Sequence, residues 1–207
     1  MYWVLRPLAW IFYKLFYRVK IVGKENVIRK GKCIVICNHL CKMDVFVVAA
    51  LYPNQTIFLA KKEWYKNKFI AWVLRTMGSI PVDREKPSLA TIKETLQVLK
   101  ENKRLGIFPE GTRNTENTEI QDIKQGTAMF AVKGKALITP VIIHSKLKKF
   151  KTNYAIVGEP IDFSKYYDVR FTDEVSNECS KIILDTMHNL QTQLNEYVEN
   201  KSKKKKA

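Results

Sequence analysis

The chain has 207 residues, of which 46% are hydrophobic and 27% charged. This balance supports one domain with a real core and excludes wholesale disorder. The 36 Lys and Arg outnumber the 20 Asp and Glu, so the net charge is +16. That charge points to an anionic partner (nucleic acid, acidic membrane or phosphorylated substrate) without choosing among them.

Cys33, Cys37, Cys41 and Cys179 form no CxxC pair. Their spacing fits neither a zinc site nor a secretory disulfide framework, and it predicts reduced thiols. No uncharged apolar run is long enough to span a bilayer. Arg6, Lys14 and Arg18 interrupt the apolar N-terminus, which also lacks the small-residue cleavage site of a signal peptide.

Residues 1–20 read as an amphipathic helix. At 100° per residue, Val4, Leu5, Leu8, Ile11, Phe12, Leu15, Phe16 and Val19 share one face. Arg6, Lys14 and Arg18 lie opposite, with Trp3, Trp10, Tyr13 and Tyr17 beside them. An aliphatic face bordered by aromatic and basic residues suits a membrane interface, although a terminal helix docked on its own core is the plain alternative. Pro7 places the regular part of the helix near or after it.

Residues 21–200 then alternate between strands and helices. VKIVG is a short strand, and CIVICNH a buried strand running into a turn. A helix is expected from Asp44 to Leu51, ended by Pro53. TIFLAK is a strand, KNKFIAWVLRTMG an apolar helix and SIPVDRE a short strand. Pro87 or Ser88 starts a helix that runs to about Lys100 with Leu89, Ile92, Leu96 and Leu99 on one face. RLGIFPEG is a strand ending in a turn, followed by a polar loop, the helix GTAMFAVKG, and the strands ALITPVII and NYAIVGEPI. From Thr172 a long helix carries Val175, Cys179, Ile182, Leu190, Leu194 and Val198. Residues 201–207, KSKKKKA, read as a disordered basic tail that also suits an anionic lipid surface. This alternation predicts a single α/β domain with a mixed central β-sheet flanked by helices.

Three constellations carry chemistry. In NHLCKMD, His39 ends a strand and Asp44 lies about one turn into the next helix. A carboxylate on one imidazole nitrogen fixes the tautomer and leaves the other nitrogen free to take a proton from an alcohol. Such a pair is also common in purely structural roles. In IFPEGTRN, Gly111 permits close backbone approach and Arg113 offers a planar fork for phosphate. Arg84 of GSIPVDRE and Lys61 of TIFLAK each end a strand. A phosphomonoester carries nearly two negative charges and favours several cations. Each of these three cations alone reads first as a solvated surface charge.

Taken together, NHLCKMD, GSIPVDRE, FPEGTRN and ITPVII stand in the order of the four blocks of the glycerophospholipid acyltransferase family, which this chain resembles from about Val22 to Ile143. The likeness is greatest to the lysophosphatidic acid acyltransferases. The resemblance implies that His39 is the general base and Asp44 its orienting partner. Lys61, Arg84 and Arg113 would hold a glycerol phosphate, with Glu110, Gly111 and Thr112 shaping that site. The lipid hydroxyl would attack an acyl-CoA or acyl-ACP thioester directly, with no metal and no other cofactor. The implied partners are a lysophospholipid, the acyl donor and an anionic membrane surface, with no nucleic acid. The implied location is peripheral or monotopic, on the cytoplasmic face of the cell membrane.

Many members of the family carry Ser where this chain has Cys41. A Cys41 thiol nucleophile is therefore a rival to the dyad. Other rivals are an acceptor such as glycerol 3-phosphate or another lysophospholipid, a basic nucleic-acid-binding module, and an inactive scaffold. No zinc-finger, RNP-like or helix-turn-helix pattern supports the nucleic-acid reading.

Overall fold

Cys33–Cys37 is an unbroken apolar run, and every residue of it is buried. Such a run suits a central strand covered on both faces. In the computed structural model, which describes residues 2–204, this run is β2, the middle strand of a seven-stranded sheet. The other strands are β1 (Arg18–Val22), β3 (Thr56–Lys61), β4 (Ile80–Val82), β5 (Arg104–Ile107), β6 (Ile138–Ile143) and β7 (Thr152–Val157). Their order is β1-β7-β6-β2-β5-β3-β4. All neighbours run parallel except β6 and β7, so the sheet is mixed, as expected.

The helices are α1 (Tyr2–Phe16), α2 (Asp44–Ala50), α3 (Lys68–Thr76), α4 (Leu89–Lys100), α5 (Gly126–Gly134) and α6 (Asp173–Lys203). Alternation along the strands assigns them to two layers. Ile34 and Ile36 join Val98 and Leu99 of α4, Ala131 of α5 and Ile183 of α6 in one core. Cys33, Val35 and Cys37 join Tyr13 of α1 and Val47 and Val48 of α2 in the other. The crossover from β3 through α3 to its parallel neighbour β4, taken right-handed, places α3 on the α2 side.

Several expectations are corrected. Helix α1 begins at Tyr2 and carries Pro7 inside it, where the missing N–H cannot join the helical hydrogen-bond ladder. It ends at Phe16, and Arg18 and Val19 already belong to β1. Tyr13 and Tyr17 face the domain and are buried rather than lying beside the outward basic residues. Ile11 and Leu15 point away from the domain, at 55% and 65% exposure, with Trp10 and Lys14 beside them. Phe16 and Val19, also on the expected face, pack against the core instead, and the side chains at 2–5, 8, 9 and 12, which include its remaining members, lie outside the described residues. Ser88 caps α4 by accepting from the Thr91 amide, and Leu89, at the first helical position, projects into solvent instead of joining the buried face. α6 continues through Lys203, so the basic tail begins as helix, and residues 205–207 lie outside the described residues.

Candidate active site

Three strands of the sheet, β2, β3 and β5, end on one edge, and in open α/β sheets ligands gather at carboxyl ends of this kind. Here the segments leaving these strands line a cavity of about 760 Å³. His39, Lys61, Arg84, Glu110, Gly111, Thr112 and Arg113 all contribute to its walls. Asp44 stands behind His39 and is fully buried.

Asn38 fixes the end of β2. Its amide Nδ2 donates to the Ile143 carbonyl at 3.0 Å and its Oδ1 accepts from the Ile143 amide at 2.8 Å. The side chain thus continues the strand pairing as a backbone would. His39 follows, with Nδ1 at 3.0 Å from Asp44 Oδ2. The same oxygen accepts the Leu40 and Cys41 amides, each at 2.7 Å. A carboxylate oxygen so engaged can only accept, so Nδ1 carries the proton and Nε2 is left as a proton acceptor facing the cleft. The Phe108 ring lies over the imidazole, with centroids 4.0 Å apart and an interplanar angle of 20°.

Glu110 and Asn114 tie the two motifs together. Glu110 Oε1 accepts the His39 amide at 2.9 Å and Oε2 accepts the Gln121 amide at 3.3 Å. The Asn114 amide donates to the His39 carbonyl at 2.8 Å. Glu110 is therefore a buried brace of the His39 backbone rather than a side chain presented to a ligand. Burial raises its carboxyl pKa despite these two amide donors. Glu110→Gln keeps one acceptor oxygen and turns an amino group toward one of the two amides. We expect at least a tenfold loss of activity and a melting point lower by several degrees, since an unmatched buried polar group costs about 1–3 kcal/mol.

Gly111 closes the turn with φ +71°. An added Cβ there would lie 3.2 Å from Cγ of Lys124, so Gly serves both the left-handed backbone and the lysine packed over it. Lys124 lines the cavity, a cation that motif spacing missed. Phe108, Asn38 and Asn114 were missed as well. Lys42 reaches the rim, its ammonium 5.1 Å from the Trp64 ring centroid.

Arg84 and Arg113 come together at the cleft. Burial, then the repulsion of Arg113, pushes the Arg84 guanidinium pKa down. Among the described residues neither arginine is in an ion pair. Two neighbouring guanidiniums outside any ion pair suit a multivalent anion, although the Glu63 charge also acts on Arg84. Lys61 is less available than expected, because it pairs with Glu63 at 3.7 Å.

Cys41 Sγ lies 3.0 Å from Asp44 Oδ1 and donates to it, not to His39. Burial, then the Asp44 charge, raises the thiol pKa, which opposes thiolate formation and the nucleophile reading. Cys41→Ser preserves a donor to Asp44, and activity is expected to stay within about threefold of wild type, because the swap exchanges one weak hydrogen bond for another. A nucleophilic Cys41 would instead lose essentially all turnover on the same substitution.

A family model described as Acyltransferase matches residues 18–144. The chain belongs to this acyltransferase family. The 1-acyl-sn-glycerol-3-phosphate acyltransferase of Bacillus subtilis is 35% identical over 150 residues, covering 69% of this chain and 73% of that protein. The enzyme of the same name from Streptococcus pneumoniae is 39% identical over 141 residues, covering 63% of this chain but only 50% of the relative. The crystal structure of the 1-acyl-sn-glycerophosphate (LPA) acyltransferase PlsC from Thermotoga maritima superposes with a TM-score of 0.66 at 22% identity. It covers 92% of this chain and 82% of that one, and it shows a shared fold. The chain is thus an O-acyltransferase. No described helix of this acyltransferase is long and apolar enough to cross a membrane.

Proposed function

We propose that this acyltransferase moves a fatty acyl group from an acyl thioester to the free hydroxyl of lysophosphatidic acid, giving phosphatidic acid. One observation carries the reading: a buried His–Asp pair and two unpaired guanidiniums border the same cleft. The arginines, with Lys124 and the partly engaged Lys61, hold the phosphate. His39 Nε2 takes the hydroxyl proton as the oxygen attacks the thioester carbonyl. The tetrahedral intermediate collapses, the carbon–sulfur bond breaks, and the proton passes from His39 to the leaving thiol. Both carbonyl transfer and proton transfer balance without a metal or a further cofactor. Acyl-CoA and acyl carrier protein supply the same thioester and are both donors under this reading.

The outward Trp10, Ile11 and Leu15 of α1 support a helix lying in a membrane interface, on the cytoplasmic face where thioester donors are made. Among the residues whose side chains are described, Tyr13 is buried while Trp10, Ile11 and Leu15 are exposed, so an apolar and aromatic strip of the helix faces away from the domain.

The test is acyl transfer in mixed micelles to three acceptors: lysophosphatidic acid, glycerol 3-phosphate and lysophosphatidylcholine. A kcat/KM highest for lysophosphatidic acid is expected. A preference for glycerol 3-phosphate would move the chain to a different acceptor, and a preference for lysophosphatidylcholine would remove the phosphomonoester from the reading.

A further inference from the structure

We propose that residues 146–151, together with the outer face of α1, form a docking surface for an anionic lipid bilayer. The inference rests on the acyl-transfer reading only in expecting the substrate to arrive from a membrane.

The segment Lys146-Leu147-Lys148-Lys149-Phe150-Lys151 joins β6 to β7. Strand β6 runs parallel to β2, with Cys37 opposite Val141. The loop therefore leaves the sheet at the edge that bears His39. Leu147 packs into the core beneath α1 and α2. The Lys146 ammonium donates to the Thr115 carbonyl, in the loop that follows Arg113. The segment is thus fixed to the site rather than hanging free of it.

Its conformation is built to display one aromatic ring. Buried Asn153 holds the loop from below: its Oδ1 accepts the Lys148 amide at 2.8 Å, and its Nδ2 donates to the Lys148 and Lys151 carbonyls at 3.0 Å each. Phe150 adopts φ +58° and is 65% exposed. A bulky residue is disfavoured in that region, where Gly or Asn is at ease. The strained backbone does not bury the ring. Its amide donates to the Phe16 carbonyl at 2.8 Å, and its ring meets that of Phe16 at 5.3 Å between centroids. The Lys149 ammonium lies 5.9 Å from the Phe16 centroid.

The exposed ring thus adjoins the end of α1, the helix on which Trp10, Ile11 and Leu15 are also exposed. Lys148, Lys149 and Lys151 are all exposed, and none is in an ion pair among the described residues. An apolar ridge bordered by unpaired lysines is complementary to a bilayer of negative headgroups, where rings reach the acyl boundary and ammonium groups meet phosphate. Docking there brings the site-bearing edge of the sheet to the interface.

The full chain is tested by co-sedimentation with phosphatidylcholine vesicles, with and without phosphatidylglycerol. Replacing Lys148, Lys149 and Lys151 by Gln should weaken partitioning onto the anionic vesicles by about fivefold per lysine and leave the neutral ones unaffected. Phe150→Asn, which suits the left-handed backbone, should weaken partitioning onto both by about tenfold. Melting points should not fall, and turnover in detergent micelles should be unchanged, because neither variant touches the cleft. Unchanged partitioning in both variants overturns the proposal. So does unchanged partitioning with a selective loss of transfer from acyl carrier protein, which would assign the surface to an acidic donor protein. Vesicle binding with the expected pattern in a protein that transfers no acyl group would support the docking surface while removing the proposed reaction.

Discussion

His39→Ala is expected to lower kcat for acyl transfer by about 10²- to 10⁴-fold, the range a positioned general base contributes. KM for the acceptor should change little, because the proposed phosphate site lies on other residues. The fold should survive, since the imidazole sits at the cleft wall and its backbone remains tied to Glu110 and Asn114. Asp44→Asn divides the dyad's contribution further. The amide oxygen can replace Oδ2 and still accept from the Leu40 and Cys41 amides and from Nδ1. Orientation and tautomer are then kept, while the charge that stabilises the imidazolium is lost. The amide nitrogen takes the place of Oδ1, to which the Cys41 thiol donates, so a melting point lower by a few degrees is expected; a kcat lower by about 10²-fold or more in the folded variant would assign that loss to charge. Steady-state transfer assays beside thermal melts measure both. Wild-type turnover in His39→Ala would remove this histidine as the base.

Much of this architecture was legible from period and punctuation. The run CIVIC could only be a two-sided buried strand, and it proved to be the centre of the sheet. NHLCKMD placed a histidine at a strand end and a carboxylate in the next helix, and local geometry did the rest, because a five-residue gap across a strand-to-helix turn brings the two within hydrogen-bond reach. What stayed hidden depends on contacts far apart in the chain. The family resemblance implied that Glu110 helps shape the phosphate site, but nothing in its motif shows that its carboxylate accepts the amide of His39, 71 residues away. Nothing in local spacing encodes that bond. Asn38 hides in the same way: its partner is the last residue of a strand 105 positions later. The N-terminal wheel set Ile11 and Leu15 opposite Lys14, whereas all three are exposed together, and it set Tyr13 and Tyr17 beside the basic residues, whereas both are buried. Phenol rings are amphipathic, and only the tertiary fold determined that these two would face the core.

Arg113→Ala should reduce kcat/KM for lysophosphatidic acid by about 10- to 150-fold, the equivalent of about 1.5–3 kcal/mol for a hydrogen bond to a charged group. The same substitution should leave the empty protein as stable as before, or slightly more stable. Arg84 is half-buried, and its pKa is pushed down by burial and by Arg113, so the unliganded site holds two cations against each other. Removing one relieves that repulsion and simultaneously removes half of the proposed phosphate clamp. A residue kept for folding would behave the opposite way, losing stability and activity together. Arg84→Ala should follow the same pattern. The double variant should lose less than the two single losses combined, because both side chains grip one ligand. Arg113→Lys should fall between wild type and Ala, since a lysine keeps the charge but not the planar fork. The acceptor decides the meaning of these numbers. With a neutral monoacylglycerol in place of lysophosphatidic acid, the arginine substitutions should have almost no effect on kcat/KM, because there is no phosphate to lose. If the penalty instead persists with the neutral acceptor and appears in KM for the thioester, the guanidiniums serve the phosphates of the acyl donor and the acceptor is held elsewhere in the cleft.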